Sequence, residues 1–430
     1  MADDKPGGSY VVNVQTGRDP SRPAFVLGFL VLVLSVVANV WVVERIASPD
    51  GEFDADTKAV LLVLNALATA TGAWVVWCKG HAWPALWLVR FAARHPKSAE
   101  YVGGLIFTVL LIGLAEIVFY NLNVRALRVA VHYDGAEIHQ YEPYLGYRPV
   151  ANQQLTGTMT YGDEHVYTAT YSFDEYSRRI TPDPYPDRSR ETALLVFGGS
   201  FAFGSGVEDD ETLAYRLAEH APDLHVYNYA YGGWGVQQML ALLEQPGFGD
   251  QVAERRARII YVYIPAHIGR TTGSLRNVTW FGRHFPCYEY DRETDAVRRI
   301  GSFAEAWPKR MALYDLIAKE QVARYVYWDY PRIGAVQLDH VAAVFVEAKR
   351  VVETKFENVG FDVVIFPEHP NNSTRANEIV PYLEKRGVGV IDCSSLFDTG
   401  ESEFLIPRDL HPTAKAHAEL ADAVMKEIGP

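Results

Sequence analysis

Cysteine is scarce: Cys78, Cys287 and Cys393 are the only three in 430 residues. They have neither metal-ligand spacing nor the density of a disulfide scaffold, which excludes a zinc module and a small disulfide-stapled fold. Positive charge is short as well. Forty Lys and Arg stand against 53 Asp and Glu, a formal charge of −13. A nucleic-acid binder needs concentrated cations for phosphate contacts, so no nucleic-acid partner is expected. There is no internal repeat or long low-complexity tract, and no constellation of His, Cys and carboxylates that implies a metal or another cofactor. What is plentiful is apolar: 49% of residues are hydrophobic, enough for one large domain with additions.

Charge is missing altogether from residues 24–43, a run about long enough to cross a bilayer as a helix. Two further apolar stretches follow at 59–77, with Asn65 and several threonines, and at 102–120, with Glu116 near its end. Three transmembrane helices are therefore expected within 24–121. The first is read as an anchor and not a signal peptide, because it exceeds a usual apolar h-region and no small-residue cleavage site follows it. Residues 1–23 form a cytoplasmic tail on this reading. Lys5, Arg18 and Arg22 precede the first span, and Lys79, Arg90, Arg94 and Lys97 lie between the second and third. Basic flanks favour the cytoplasmic face, so a third crossing places everything after Tyr120 outside the cytoplasm. The expected location is the cell (inner) membrane, multi-pass, with a periplasmic domain; the lipid bilayer is one partner and other membrane proteins are candidates. Residues 81–91, with Trp83, Trp87 and Arg90, suit an interfacial helix or a simple connecting one.

Residues 122–190 read as a β-rich lead-in. The alternation Glu164-His165-Val166-Tyr167-Thr168-Ala169-Thr170-Tyr171-Ser172 predicts hairpin strands, and Pro182, Pro184 and Pro186 mark a linker. From residue 191 to 430 the pattern becomes strand, helix, strand. Strands are expected at 193–198, 224–228, 258–264, 361–366 and 388–392, with helices near 211–220, 235–245, 337–357, 374–386 and 412–427. That alternation implies a parallel sheet with helices on both faces. An insertion at 271–336 follows a strand's carboxyl end and is expected to overhang the site there.

The chemistry centres on Leu194-Leu195-Val196-Phe197-Gly198-Gly199-Ser200-Phe201-Ala202-Phe203-Gly204. A buried-strand run ends in two glycines, which places Ser200 on a tight turn at a strand's carboxyl end. Open α/β sheets bind ligands at that edge, and a serine exposed there becomes a nucleophile when a base reaches it. A phosphate-binding loop is excluded because Ser205, not lysine, follows Gly204. Near the C-terminus, Asp409-Leu410-His411 sets a carboxylate two residues before a histidine. The carboxylate can hold one imidazole nitrogen and leave the other to take a serine proton.

With these residues the chain resembles the SGNH (GDSL-like) hydrolase family over roughly residues 190–430. The family's first block is Gly-Asp-Ser-x-x-x-Gly; here Gly199 stands in place of the aspartate while Ser200 and Gly204 keep their spacing. The resemblance implies a three-layer α/β/α, flavodoxin-like fold and a catalytic triad of Ser200, Asp409 and His411. It also implies oxyanion donors from the backbone of Ser200 and of Gly233, the glycine five residues after Asn228. The family's third block supplies an asparagine donor after a strand. At that place this chain has Pro265-Ala266-His267-Ile268-Gly269-Arg270, so His267 or Arg270 takes the asparagine's part. Trp234, Arg270 and His369 are candidate substrate contacts, Trp234 together with Phe201, Phe203 and Trp280 as an aromatic wall or as core.

The activity expected is that of a membrane-anchored serine esterase acting through an acyl-enzyme on acylated carbohydrate or lipid, O-acetyl carbohydrate being preferred. Transfer of the acyl group to a sugar hydroxyl by the same triad is the first alternative. A non-catalytic scaffold in a surface-polysaccharide machine, motivated by the departures in the first and third blocks, is the second. Cys287 and Cys393 both fall beyond strand ends on the oxidising side and form a candidate disulfide.

Overall fold

A computed structural model describes residues 21–37, 39, 41–42, 55–126, 129–134, 137–367 and 374–429. The chain divides into two compact units, residues 1–126 and 127–430.

The first unit is helical: α1 Ser21–Val37, α2 Ala55–Trp77, α3 Trp83–Arg94 and α4 Pro96–Ala126. Two polar residues of α2, Asn65 and Thr69, face α1. Asn65 Nδ2 donates to Ser35 O at 2.7 Å and Thr69 Oγ1 meets Ser35 Oγ at 3.0 Å, so they join helices where a leucine would only pack. Gly72 lets the two backbones touch, since a Cβ there would stand 2.7 Å from Leu32 N. The expected spans 59–77 and 102–120 lie inside α2 and α4, and α1 carries residues 24–37 of the first. Among the described residues, however, no helix is long and apolar enough to cross a membrane.

The second unit opens with the lead-in strands β1 Val129–Tyr133, β2 His139–Glu142, β3 Gly146–Pro149, β4 Gln154–Tyr161 and β5 Glu164–Ser172. Strands β1, β4 and β5 form one antiparallel sheet and β2 and β3 a hairpin. The period-2 alternation of residues 164–172 thus becomes β5, as expected. The main sheet follows: β6 Thr192–Gly198, β7 Leu224–Asn228 and β8 Arg256–Tyr263, then, after the insertion's hairpin β9 Pro286–Asp291 and β10 Ala296–Ser302, β11 Glu357–Ile365 and β12 Gly389–Asp392. Its order is β12-β11-β8-β6-β7 and every pairing is parallel.

Counted from β6, that order is the doubly wound 2-1-3-4-5, with its topological switch between β6 and β8. Right-handed crossovers then set the layers. Between β6 and β7 comes α5 Ser200–Phe203 and then α6 Leu213–His220; α7 Val236–Leu243 returns the chain to β8, α8 Ala266–Thr272 leaves it, α9 Ala335–Glu353 leads to β11 and α10 Val380–Glu384 to β12. The last helix, α11 Ala414–Ile428, packs on α6, while α9 packs on α7, α8 and α10. Three layers result. The continuous apolar runs that predicted the strands are the core itself: Ala193 to Phe197 and Ile259 to Tyr263 are at most 1% exposed.

The insertion has its own small core, in which Leu275, Val278, Phe285, Cys287, Phe303, Met311 and Tyr314 pack together. Cys393 belongs instead to the main core after β12. Both thiols are free and buried, each in a different apolar cluster, so the candidate disulfide between them is not formed. Burial pushes the Cys287 thiol up to about 12 and that of Cys393 to about 11.

Candidate active site

Ser200 begins the four-residue helix α5 directly after β6, at the switch between β6 and β8. Gly204 N donates back to Ser200 O at 3.1 Å and closes the turn. Ser200 is 9% exposed. Its backbone N–H opens a first helical turn, where no intrahelical acceptor exists.

The loop after Ser200 is held by a residue from the lead-in. Arg179 is wholly buried and donates five hydrogen bonds: to Phe203 O at 2.9 Å, Gly204 O at 2.6 Å, Val207 O at 2.7 Å, Thr170 O at 3.0 Å and Asp209 Oδ1 at 2.9 Å. Every guanidinium N–H is satisfied. Burial lowers its pKa, and the Asp209 carboxylate opposes that shift. Sequence reasoning passed over this arginine; the only signal is a pair of arginines, Arg178 and Arg179, in a polar linker.

The second loop follows β7. Asn228 is 1% exposed; its Oδ1 accepts from Ala230 N at 3.1 Å and its Nδ2 donates to Phe203 O at 3.4 Å, tying this loop to α5. Gly233 has φ +78°, and a Cβ on it would collide with the hydroxyl of Tyr147 and lie 3.2 Å from Phe281. Tyr147, on β3, donates its hydroxyl to Gly232 O at 2.8 Å and accepts the Trp234 indole N–H on its carbonyl at 3.1 Å. Trp234 is accordingly 5% exposed, with no free N–H for a ligand. Phe203 is likewise core, stacked between Tyr171 and Phe173, whereas Trp280 stands exposed on the insertion.

The third loop, after β8, brings His267 and Arg270 beside Gly199. The point where a Cβ on Gly199 would stand is 2.7 Å from His267 Nε2 and 2.8 Å from Arg270 Nη1. The carboxylate that the SGNH resemblance would put at 199 has no room. His267 is fully buried, and burial together with the Arg270 charge holds its proton affinity well below the ordinary value, so the ring is neutral. Its Nδ1 receives the Ile264 N–H at 3.4 Å and lies 3.1 Å from the Tyr261 hydroxyl. A backbone N–H can only donate, so Nδ1 is the acceptor and Nε2 carries the hydrogen. That Nε2 has no hydrogen-bond partner among the described residues. Arg270 donates through Nη1 to Trp234 O at 3.0 Å, while its buried Nε also lacks a partner among them.

The fourth loop carries Asp409 and His411. Asp409 Oδ2 and His411 Nδ1 are 2.7 Å apart, with the carboxylate 7% and the imidazole 23% exposed. Arg408 and Leu410 hold φ of +71° and +66°, a strained geometry. The loop is closed on itself by Ile406 N donating to His411 O and Leu410 N donating to Ile406 O, both at 2.8 Å. Thr413 then caps α11, its Oγ1 accepting from Ala416 N at 3.3 Å. The Phe201 ring meets the His411 imidazole edge-on at 5.4 Å, so the histidine stands beside the residue that follows Ser200. Lead-in tyrosines border the same carboxylate: burial, then Tyr171 and then Asp409 push the Tyr133 hydroxyl up to about 12. Tyr167 is raised by the same three influences in the same order.

The structure thus gathers Ser200, Gly233, Trp234, His267, Arg270, Asp409 and His411 around the carboxyl ends of β6, β7 and β8. His369 lies outside the described residues. No group of His, Cys and carboxylates that could hold a metal occurs among the described residues.

No family model matches the chain, and no curated protein does. Solved structures do match. A member of the lipolytic G-D-S-L family from Veillonella parvula is 14% identical, with 55% of this chain and 97% of that one covered at a TM-score of 0.31. An acetyl xylan esterase from Geobacillus stearothermophilus is 12% identical, covering 56% and 96% at 0.32. A psychrotrophic esterase from Pseudoalteromonas sp. is 11% identical, covering 55% and 96% at 0.30.

Proposed function

We propose that this chain is a serine esterase that works through an acyl-enzyme. The observation that carries the reading is the 2.7 Å contact between Asp409 and His411 Nδ1, on a loop that sets the imidazole against Phe201. With Nδ1–H donated to the carboxylate, Nε2 is free to accept a proton. As Ser200 Oγ bonds to the ester carbonyl carbon, His411 takes the hydroxyl proton and then gives it to the departing alcohol. Water attacks the acyl-serine with His411 again as base, releasing the acid and restoring Ser200. The negative charge that develops on the carbonyl oxygen is met by the Ser200 and Gly233 N–H groups, and His267 contributes its Nε2–H. Each well-placed donor is worth about 3–4 kcal/mol in the transition state. Arg270 is the candidate contact for the substrate's polar part.

The substrate class follows from the resemblance and from the basic flanks of the apolar helices: an O-acylated carbohydrate, or a lipid, at the outer face of the cell membrane, with α1, α2 and α4 as the anchor. A sugar hydroxyl in place of water would make the same site an acyltransferase. The test is labelling of the full-length chain with a fluorophosphonate probe. Labelling that disappears in Ser200→Ala and in His411→Ala supports an acyl-enzyme, and an unlabelled wild-type chain would leave the scaffold reading standing.

A further inference from the structure

More than half of the exposed large apolar side chains among the described residues of 127–430 fall within residues 313–336, in the insertion. Leu313 and Leu316 point outward from the helix Pro308–Ala318, whose Met311 and Tyr314 face inward. The chain then turns back with Val326 58%, Tyr327 67% and Tyr330 54% exposed, and Trp328 beside them. These side chains are held in place from behind. Tyr314 Oη donates to Tyr330 O at 3.1 Å, Leu275 N to Tyr330 O at 2.8 Å, and Arg276 lies 4.6 Å from the centre of the Tyr327 ring. Soluble surfaces rarely gather so much apolar area in one place unless something covers it.

The composition says what covers it. Aliphatic side chains bordered by Tyr and Trp are what the headgroup boundary of a bilayer selects, and cations beside them add attraction to anionic lipid. Between Lys309 and Arg332 there are five Lys or Arg against three Asp or Glu, in a chain whose formal charge is −13. Two of those acids are already engaged: Asp315 pairs with Arg283, and Asp329 accepts from Ser274 Oγ at 2.8 Å and Arg276 N at 3.0 Å. Lys319, Arg324 and Arg332 are exposed. The patch is therefore locally cationic on an acidic protein.

We infer that residues 313–333 are a lipid-docking surface, which lies in the headgroup region of an anionic bilayer and holds the catalytic unit against it. The inference deepens the membrane part of the proposed function and rests on it. Phe281 of the same insertion lies beside Gly233, so the insertion that carries the patch also borders the candidate oxyanion loop.

The test uses the full chain in nanodiscs of phosphatidylcholine and phosphatidylglycerol, on a Cys78→Ser background, because Cys287 and Cys393 are buried. An environment-sensitive dye is attached at Val326→Cys, at Leu64→Cys in α2, and at Glu353→Cys. The last is exposed at the far end of α9, roughly 26 Å along the helix from Val336. Lipids carrying a quencher near the headgroup are expected to quench Val326→Cys at least about twofold more than Glu353→Cys, an interfacial depth. Replacing phosphatidylglycerol by phosphatidylcholine is expected to reduce that quenching. A deep quencher reports on Leu64→Cys. Leu64→Cys quenched while Val326→Cys matches Glu353→Cys would overturn the docking surface and leave the anchor intact, as expected if a partner protein covers the patch. Leu64→Cys unquenched would remove the anchor, and quenching at Val326→Cys would then stand as docking alone.

Discussion

His267 Nε2 lies 2.7 Å from the point that a Cβ on Gly199 would occupy, so residue 199 is glycine because the third loop has filled the space its side chain would need. Arg270 Nη1 is held by Trp234 O, and His267 is locked between Tyr261 and Ile264. Gly199→Ala is expected to lose about 1–3 kcal/mol of stability through overpacking, and to lower ester hydrolysis by displacing the turn that carries Ser200. A melting curve and a turnover assay on one preparation decide it. Wild-type values in both would mean that the loop yields freely.

Ser200→Ala and His411→Ala should each reduce hydrolysis of a small activated ester by on the order of a thousandfold or more, and the double variant by no more than the worse single one, since triad members act as a unit. Asp409→Asn should cost less. Additive losses in the double variant would show that Ser200 and His411 do not share a step.

Arg179→Met should destabilise the second unit by about 3–5 kcal/mol, because it strands the partly buried Asp209 carboxylate and four carbonyl groups at once. Arg179→Lys should recover part of this at most. Equilibrium denaturation measures both. A Met variant within about 1 kcal/mol of wild type would show that water replaces the guanidinium at little cost.

His417, on α11, is fully buried with no hydrogen-bond partner for either ring nitrogen among the described residues. Burial first, then the Arg179, His411 and Arg216 charges, lowers its pKa from 6.5 to about 3. The folded state therefore holds it neutral. That contribution to stability is complete above pH 6.5 and is lost as pH falls toward about 3, with a slope of up to about 1.4 kcal/mol per pH unit. His417→Leu is expected to flatten the acid limb of a stability-versus-pH curve across that window. An unchanged limb would assign the acid sensitivity to other groups.

Much of this protein was legible in its sequence because the governing signals are local. Buried strand runs at 193–198 and 258–264 needed only their own residues to declare themselves, and the glycines after the first placed Ser200 at a carboxyl edge. Two residues of spacing were enough to pair Asp409 with His411, since the chain between them is too short to separate them. Long-range contacts carry no such period, and the tertiary structure alone decided them. Arg179 and Tyr147 come from the lead-in to hold the loops after Ser200 and around Gly233. His267 and Arg270 occupy the space beside Gly199, Trp234 is turned inward onto the Tyr147 carbonyl, and Cys287 and Cys393 fall into separate cores. Each of those outcomes depends on what a distant segment brings to the same volume, and close packing lets only one side chain have it.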